Sequence, residues 1–447
     1  MQANHRTSMA TAGYLALLAI TSVAPVAALA QERGVPAAAT VPAAATPAPA
    51  PAAGAATLTG DWGGARTRYL DAGVTFRGDY VSETFANVSG GLARGTAYAQ
   101  QLRVGADFDM ERIAGWAGTM LHVTVNDRRG TGISSDYIGN RLPVQEVYGG
   151  LYTRLSEASI EHNLLDGQLN LRLGYFAMGN DLGGMALGTQ FVNAAFCAHP
   201  LSQSGNSGWY NYPNARWGAA MRYRLRPDLL VRTGVFQNNP RLGEEHNAFK
   251  PFASGTIGTV LPLELEYAPG SAPGGTALPG HYKLGVFYDT ARAQRQGDTG
   301  TVGQRYGAYL LADQMLVRDQ HTGRSLAVFG QFTAHPRASA QITRWYAAGL
   351  VKTGTFAGRD ADTLALGVVH ARLNPRLRAN AVAASLADGE PAALPAGETV
   401  IELSYGVQPL RWLGVRASIQ YIADPGAFSV RSTPDAIALG TQLRIAF

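Results

Sequence analysis

The sequence predicts an all-β fold, an antiparallel transmembrane β-barrel of about 16 to 18 strands with a short N-terminal helix. Three observations predict it. Segments that alternate apolar and polar residues with period two recur along the chain, the pattern of a strand with two different faces. The chain is only 15% charged and carries 53 glycines in 447 residues, against about 25% charged in an average soluble domain. Beyond the first thirty positions it has no apolar run of the ~20 residues that a membrane-spanning helix needs. A barrel reconciles these facts, because its lipid-facing residues are spread over alternate positions.

The N-terminal stretch is read first. Arg6 opens a weakly positive region, Tyr14 to Ile20 is apolar, and Ala28-Leu29-Ala30 is a small-x-small cleavage site before Gln31. Residues 1–30 are therefore expected to be a secretory signal peptide. Residues 31–57 are dominated by Ala and Pro, with little that could form a core, and are expected to be a linker. The barrel is expected over 58–447. Within it, Gly60-Asp61-Trp62-Gly63-Gly64 precedes a helical spacing from Ala65 to Ala72, with Gly73 as its C-cap. That helix is expected at or inside the periplasmic mouth.

Strands follow. Leu102, Val104, Ala106 and Phe108 interleave with Arg103, Gly105 and Asp107. Leu121, Val123 and Val125 alternate with His122, Thr124 and Asn126. Further segments of this kind are 169–175, 221–226, 281–288, 401–407 and 415–421. Tyr175, Tyr282, Tyr288 and Tyr421 stand near the ends of apolar faces, where a barrel places its aromatic girdles. Residues 238–256 and 269–280 are Gly-, Pro- and Asn-rich and read as loops, external or folded inward. The last segment, Ile437 to Phe447, sets Ile437, Leu439, Leu443, Ile445 and Phe447 on one face and Gln442 and Arg444 on the other. It reads as the closing strand, with Phe447 as a signal for barrel-assembly machinery.

Several of these motifs, taken in order, resemble the carbohydrate-selective porins of the OprB family. They are L-T-G-D-W-G-G-A-R-T-R-Y-L-D-A-G-V from Leu58, G-Y-F-A-M-G-N-D-L from Gly174, F-V-N-A-A-F-C-A-H-P from Phe191, Y-P-N-A-R-W-G from Tyr212, and E-T-V-I-E-L-S-Y-G-V from Glu398. The resemblance covers about Leu58 to Phe447. It departs at Ala198-His199, where the family commonly has Gly-Asn, and at Asp424-Pro425-Gly426. It implies the lower strand count, a 16-stranded barrel, in the outer membrane of a Gram-negative bacterium, surrounded by lipid and passing monosaccharides such as glucose by diffusion.

Such passage needs no bond-making. It needs hydroxyl partners that hold weakly enough to release. Only Lys250, Lys283 and Lys352 are lysines among the 37 basic residues. Arginine offers a planar fork of donors suited to hydroxyls and carboxylates, although a GC-rich genome would give the same bias. The candidate lumen residues are Arg103, Arg172, Arg222, Arg224, Lys283, Arg416 and Arg444, with Asp107 and Glu402 as acceptors. Trp209 and Trp217 flank a loop and read as ring-stacking, girdle or loop-packing residues. The polar clusters 126–129 and 179–181 read as turn chemistry or as parts of a constriction.

Other chemistries find little support. The lone Cys197 excludes an internal disulfide, and with His199 reads as packing rather than as a nucleophile and base. No nucleophile elbow, zinc-protease motif or P-loop is present. No cofactor, metal or nucleic acid is expected, and the chain does not read as an enzyme. A general small-solute pore and an exported saccharide-binding β-protein stay open as alternatives. The sequence leaves monomer and trimer equally open.

Overall fold

Alternating segments with one apolar face bury their backbone polar groups in lipid only when every edge is paired. The computed structural model, which describes residues 57–196, 199–270, 277–387 and 394–447, meets that condition with sixteen antiparallel strands in one closed barrel. In chain order the barrel strands are β1 (Val74–Ser89), β2 (Gly95–Asp109), β3 (Thr119–Gly130), β4 (Thr153–Leu164), β5 (Leu169–Phe176), β6 (Arg216–Arg226), β7 (Leu229–Asn238) and β8 (Gly258–Tyr267). They continue with β9 (Gly280–Asp289), β10 (Arg305–Arg318), β11 (Ser325–Ala334), β12 (Ile342–Thr353), β13 (Thr363–Leu373), β14 (Gly397–Leu410), β15 (Leu413–Ala423) and β16 (Ala436–Ala446). Each pairs with its chain neighbours, and β1 pairs with β16 from Asp79↔Ala446 to Ser89↔Ile437, which closes the ring. The expected signal peptide, all of the expected linker except Thr57, and Cys197 lie outside the described residues.

The two faces of each strand have different fates. On β8 and β9 the outward pairs are Leu263↔Val286 and Leu265↔Leu284, and Leu284 remains 58% exposed because this face meets lipid rather than protein. Tyr282, Tyr288 and Tyr421 are exposed on this outer face, as a girdle requires. Tyr175 is not. It is 2% exposed, because the loop 239–257 folds outward over it. β5 leaves the wall early, at Phe176, and the loop fills the resulting gap. Leu155 N–H donates to Ala248 O at 3.0 Å, and Trp217 Nε1–H donates to Pro251 O at 2.8 Å. Trp217 stacks on Phe252 with ring centroids 4.9 Å apart, so it packs a loop.

The N-terminal helix α1 (Ala65–Asp71) ends where the sequence predicts, with Gly73 at φ +90°. Its position narrows the expectation to the rim of the barrel. Tyr69 lies edge-on to Phe76 at 5.3 Å and Trp62 lies 5.6 Å from the same ring. Phe76 points outward, since its neighbour Arg77 bonds to the inward Asp107. The helix therefore rests on the outer side of the rim, where its aromatic residues suit a lipid interface, and not inside the bore.

The bore is narrowed by two loops, 131–152 and 177–215, that fold inward between the strands. Their apolar side chains Ile138, Leu142, Phe191 and Phe196 pack against inward residues of β11 to β16, including Phe329, Trp345, Val369 and Val400. Small wall residues admit the loop rings. A Cβ on Gly367 would lie 2.7 Å from Phe196 and 2.9 Å from Phe191, so only glycine fits there. A second cluster seats Trp209 of the loop against Phe287 and Tyr309, at 5.6 and 5.8 Å.

Candidate functional site

A loop folded into a barrel carries backbone N–H groups into a dry interior, where each needs an acceptor. Wall carboxylates supply them. Glu398 accepts from Arg141 N and Leu142 N at 2.7 and 2.9 Å. Glu402 accepts from Val192 N and Asn193 N at 2.8 and 2.9 Å. Glu264 accepts from Gly183 N at 2.8 Å, Asp289 from Gly208 N at 2.8 Å, and Glu83 from Val147 N at 3.2 Å. Leaving a buried N–H without its acceptor costs about 1–3 kcal/mol, so these residues pin the loops to the wall.

Much of the inward surface on β1 to β9 is a ladder of paired charges. Arg77 meets Asp107 at 2.7 Å, and Asp107 also bonds His122 Nδ1 at 2.7 Å. Arg103 pairs with Asp79 and lies over the Tyr212 ring at 5.6 Å. Arg172 pairs with Glu157 and, at 3.1 Å, with Asp181 of the loop. Arg232 pairs with Glu266 and, at 3.0 Å, with Glu264. Asn170, Arg172, Asp181, Ala220, Arg222 and Arg232 line a shallow recess in this wall.

The structure divides the sequence-predicted residues into two groups. Arg103 and Asp107 belong to the charge ladder, and Arg172 and Arg222 line the recess. Arg224 follows Arg222 on the same inward face, one strand period on. The others hold loops. Lys283 is buried and its Nζ donates to Gly184 O at 2.7 Å. Arg416 donates to Gln190 O and Oε1 at 2.5 and 2.8 Å. Glu402 is 0% exposed, and its acceptors serve the loop rather than the lumen. Arg444 is half-exposed, bonding Gln442 Oε1 at 2.8 Å and lying 3.5 Å from Glu146.

The polar cluster 126–129 belongs to a strand, so its residues divide between two faces. Asn126 points inward and donates to Tyr212 Oη at 2.7 Å, while Asp127 and Arg129 pair on the outside at 2.8 Å. Of the cluster 179–181, Asp181 does reach the recess. His199 is buried in the loop, and burial pushes it down to about 3, which leaves it neutral. Sequence reasoning missed Arg232, Glu157, Glu161 and Glu264. The run Leu263-Glu264-Leu265-Glu266 carries the strict alternation that would have located the last.

With this geometry in place, the chain matches known proteins over most of its length. The profile of the carbohydrate-selective porin, OprB family, matches residues 93–447. Porin B of Pseudomonas aeruginosa is 33% identical over 421 residues, spanning 87% of this chain and 91% of that protein. The high-pH structure of Pseudomonas putida OprB superposes with a TM-score of 0.81 at 30% identity, covering 89% of this chain and 99% of that one.

Proposed function

This chain belongs to the OprB family of carbohydrate-selective porins, outer-membrane channels of Gram-negative bacteria, and from that premise we propose that it passes monosaccharides of the glucose type by diffusion through an arginine-bearing lumen. The observation that carries this reading is the recess beneath the in-folded loop. Guanidinium and amide groups converge there with carboxylates beside them, the donors and acceptors that sugar hydroxyls need. The donors are fixed on strands and the acceptor Asp181 is held by Arg172, so binding costs little ordering. The contacts are hydrogen bonds to neutral hydroxyls, weak enough for release down a gradient.

The test is single-channel conductance of the purified protein in a planar bilayer, titrated with glucose and with a disaccharide. Stepwise conductance that glucose reduces saturably, and that the disaccharide reduces less, is the expected result. Conductance indifferent to both sugars makes the pore a general one. Folded, heat-modifiable protein without conductance overturns the channel.

A further inference from the structure

Arg222 breaks the pairing rule of its own wall. Register places a continuous inward row across β4 to β8, in which Asn163 faces Asn170, Asn170 faces Arg222, Arg222 faces Arg232 and Arg232 faces Glu264. Like charges directly opposite on neighbouring strands are destabilising. Arg232 is relieved by Glu264 and Glu266. Arg222 is not, because the residue across from it on β5 is a neutral amide. Among the described residues, no hydrogen-bond or ion-pair partner reaches its guanidinium, although Arg77, Arg103, Arg172, Arg232 and Arg305 of the same lumen are all paired.

The nearby acids are already engaged. Both Asp181 oxygens accept from Arg172, at 3.2 and 3.1 Å, and Glu161 accepts from Asn170 at 2.6 Å. They act on Arg222 through space without touching it. Arg224 likewise has no ion-pair partner among the described residues, and its Nε is buried without an acceptor. Two guanidiniums in sequence on one inward face thus have donors to spare. A half-buried guanidinium carries five N–H donors in a planar fork that fits a carboxylate in two parallel bonds.

We infer that Arg222, with Arg224 beside it, binds the carboxylate of a polyhydroxy acid, a sugar acid of monosaccharide size, while Asn170 and Asp181 take its hydroxyls. The inference deepens the diffusion reading and rests on it. A neutral sugar can use the same hydroxyl partners but leaves the like-charge row uncompensated. A sugar acid brings the missing negative charge to the place where register withholds one.

Gluconate and glucose are the probes, each titrated against single channels in a fixed excess of potassium chloride. The half-blocking concentration for gluconate is expected to be about tenfold below that for glucose, the gain of one bidentate charged contact. Arg222→Met should bring that ratio close to one. Arg222→Lys keeps the charge and loses the fork, and should retain only part of the ratio. Lys352→Gln removes a positive charge from the outer face of β12 and should leave the ratio intact. Wild-type channels that respond to glucose but prefer it to gluconate, or do not discriminate, overturn this inference and leave the diffusion reading standing. A ratio that survives Arg222→Met, or is fully kept by Arg222→Lys, overturns the assignment to this fork. Loss of the ratio in Lys352→Gln would trace it to net charge and overturn the site. Channels indifferent to both solutes overturn the diffusion reading together with this one.

Discussion

The two sides of the bore use one strand pattern for opposite ends. On β11 to β16 the inward positions are Phe329, Trp345, Ala347, Val369 and Val400, with Glu398 and Glu402 isolated among them. On β1 to β7 they include Arg77, Arg103, Asp107, Arg172 and Arg232, all in ion pairs. The first side is a dry surface that receives the loops, and its few acids cap loop N–H groups. The second is a charged surface that carries the recess and, at Glu264 and Asp289, also holds loop N–H groups. Polarity on an inward strand position therefore has two meanings. An isolated acid within an apolar run anchors backbone, whereas charges in cross-strand pairs surround the recess, and Glu264, which pairs with Arg232 and accepts from Gly183 N, does both.

The sharpest way to break this comparison is to remove an anchor. Glu402→Ala strands the N–H groups of Val192 and Asn193 in a dry site and should cost about 3 kcal/mol, since each buried orphan donor costs about 1–3 kcal/mol. The expected result is a lower temperature for the heat-induced gel shift, together with larger and noisier single-channel conductance as the loop 177–215 loosens. Unchanged conductance would mean that the loop is held by its apolar contacts alone, and Glu402 would lose its role as an anchor.

The wall was legible in the sequence because alternation is local. Every segment named from apolar–polar alternation forms a barrel strand, and the closing strand pairs with β1 from Ile437 to Ala446. The bore was not legible, because the roles of its residues depend on distant partners. Glu402 and Arg172 occupy equivalent alternating positions. What separates them is that the backbone of Val192, 210 positions from Glu402 in the chain, lies over Glu402, while the carboxylate of Asp181 pairs with Arg172 at the recess. Lys283 and Arg416 were misplaced for the same reason. The cluster 126–129 was read as turn chemistry or as part of a constriction because its composition is turn-like, yet pairing of Asn126 with Arg103 and of Arg129 with Gln100 keeps it in a strand.

On the charged side the effects should be smaller and should concern selectivity. Arg172→Met leaves Glu157 and Asp181 without their cation at the edge of the recess. The permeability of potassium relative to chloride should rise severalfold, read as a shifted reversal potential across a salt gradient. The half-blocking concentration for glucose should rise about fivefold, the loss of one net hydrogen bond of about 0.5–1.5 kcal/mol. A glucose titration that does not move would place the narrowest contact elsewhere, while the selectivity shift alone would still mark Arg172 as facing the path.

The smallest effect is expected at Arg444, and it decides how far the charged side extends. Arg444 sits on β16, a strand of the dry side, yet its side chain is 42% exposed and lies 3.5 Å from Glu146 of the loop 131–152. Exposed pairs of this kind contribute about 0–1 kcal/mol and are screened by salt. Arg444→Gln should therefore change stability by less than about 0.5 kcal/mol and the glucose titration by less than about twofold. A change as large as that of Arg172→Met would show that solute touches the underside of the loop 131–152 on its way out. The division into a dry and a charged half would then hold only for the height of the recess, and below it the whole circumference would line the path.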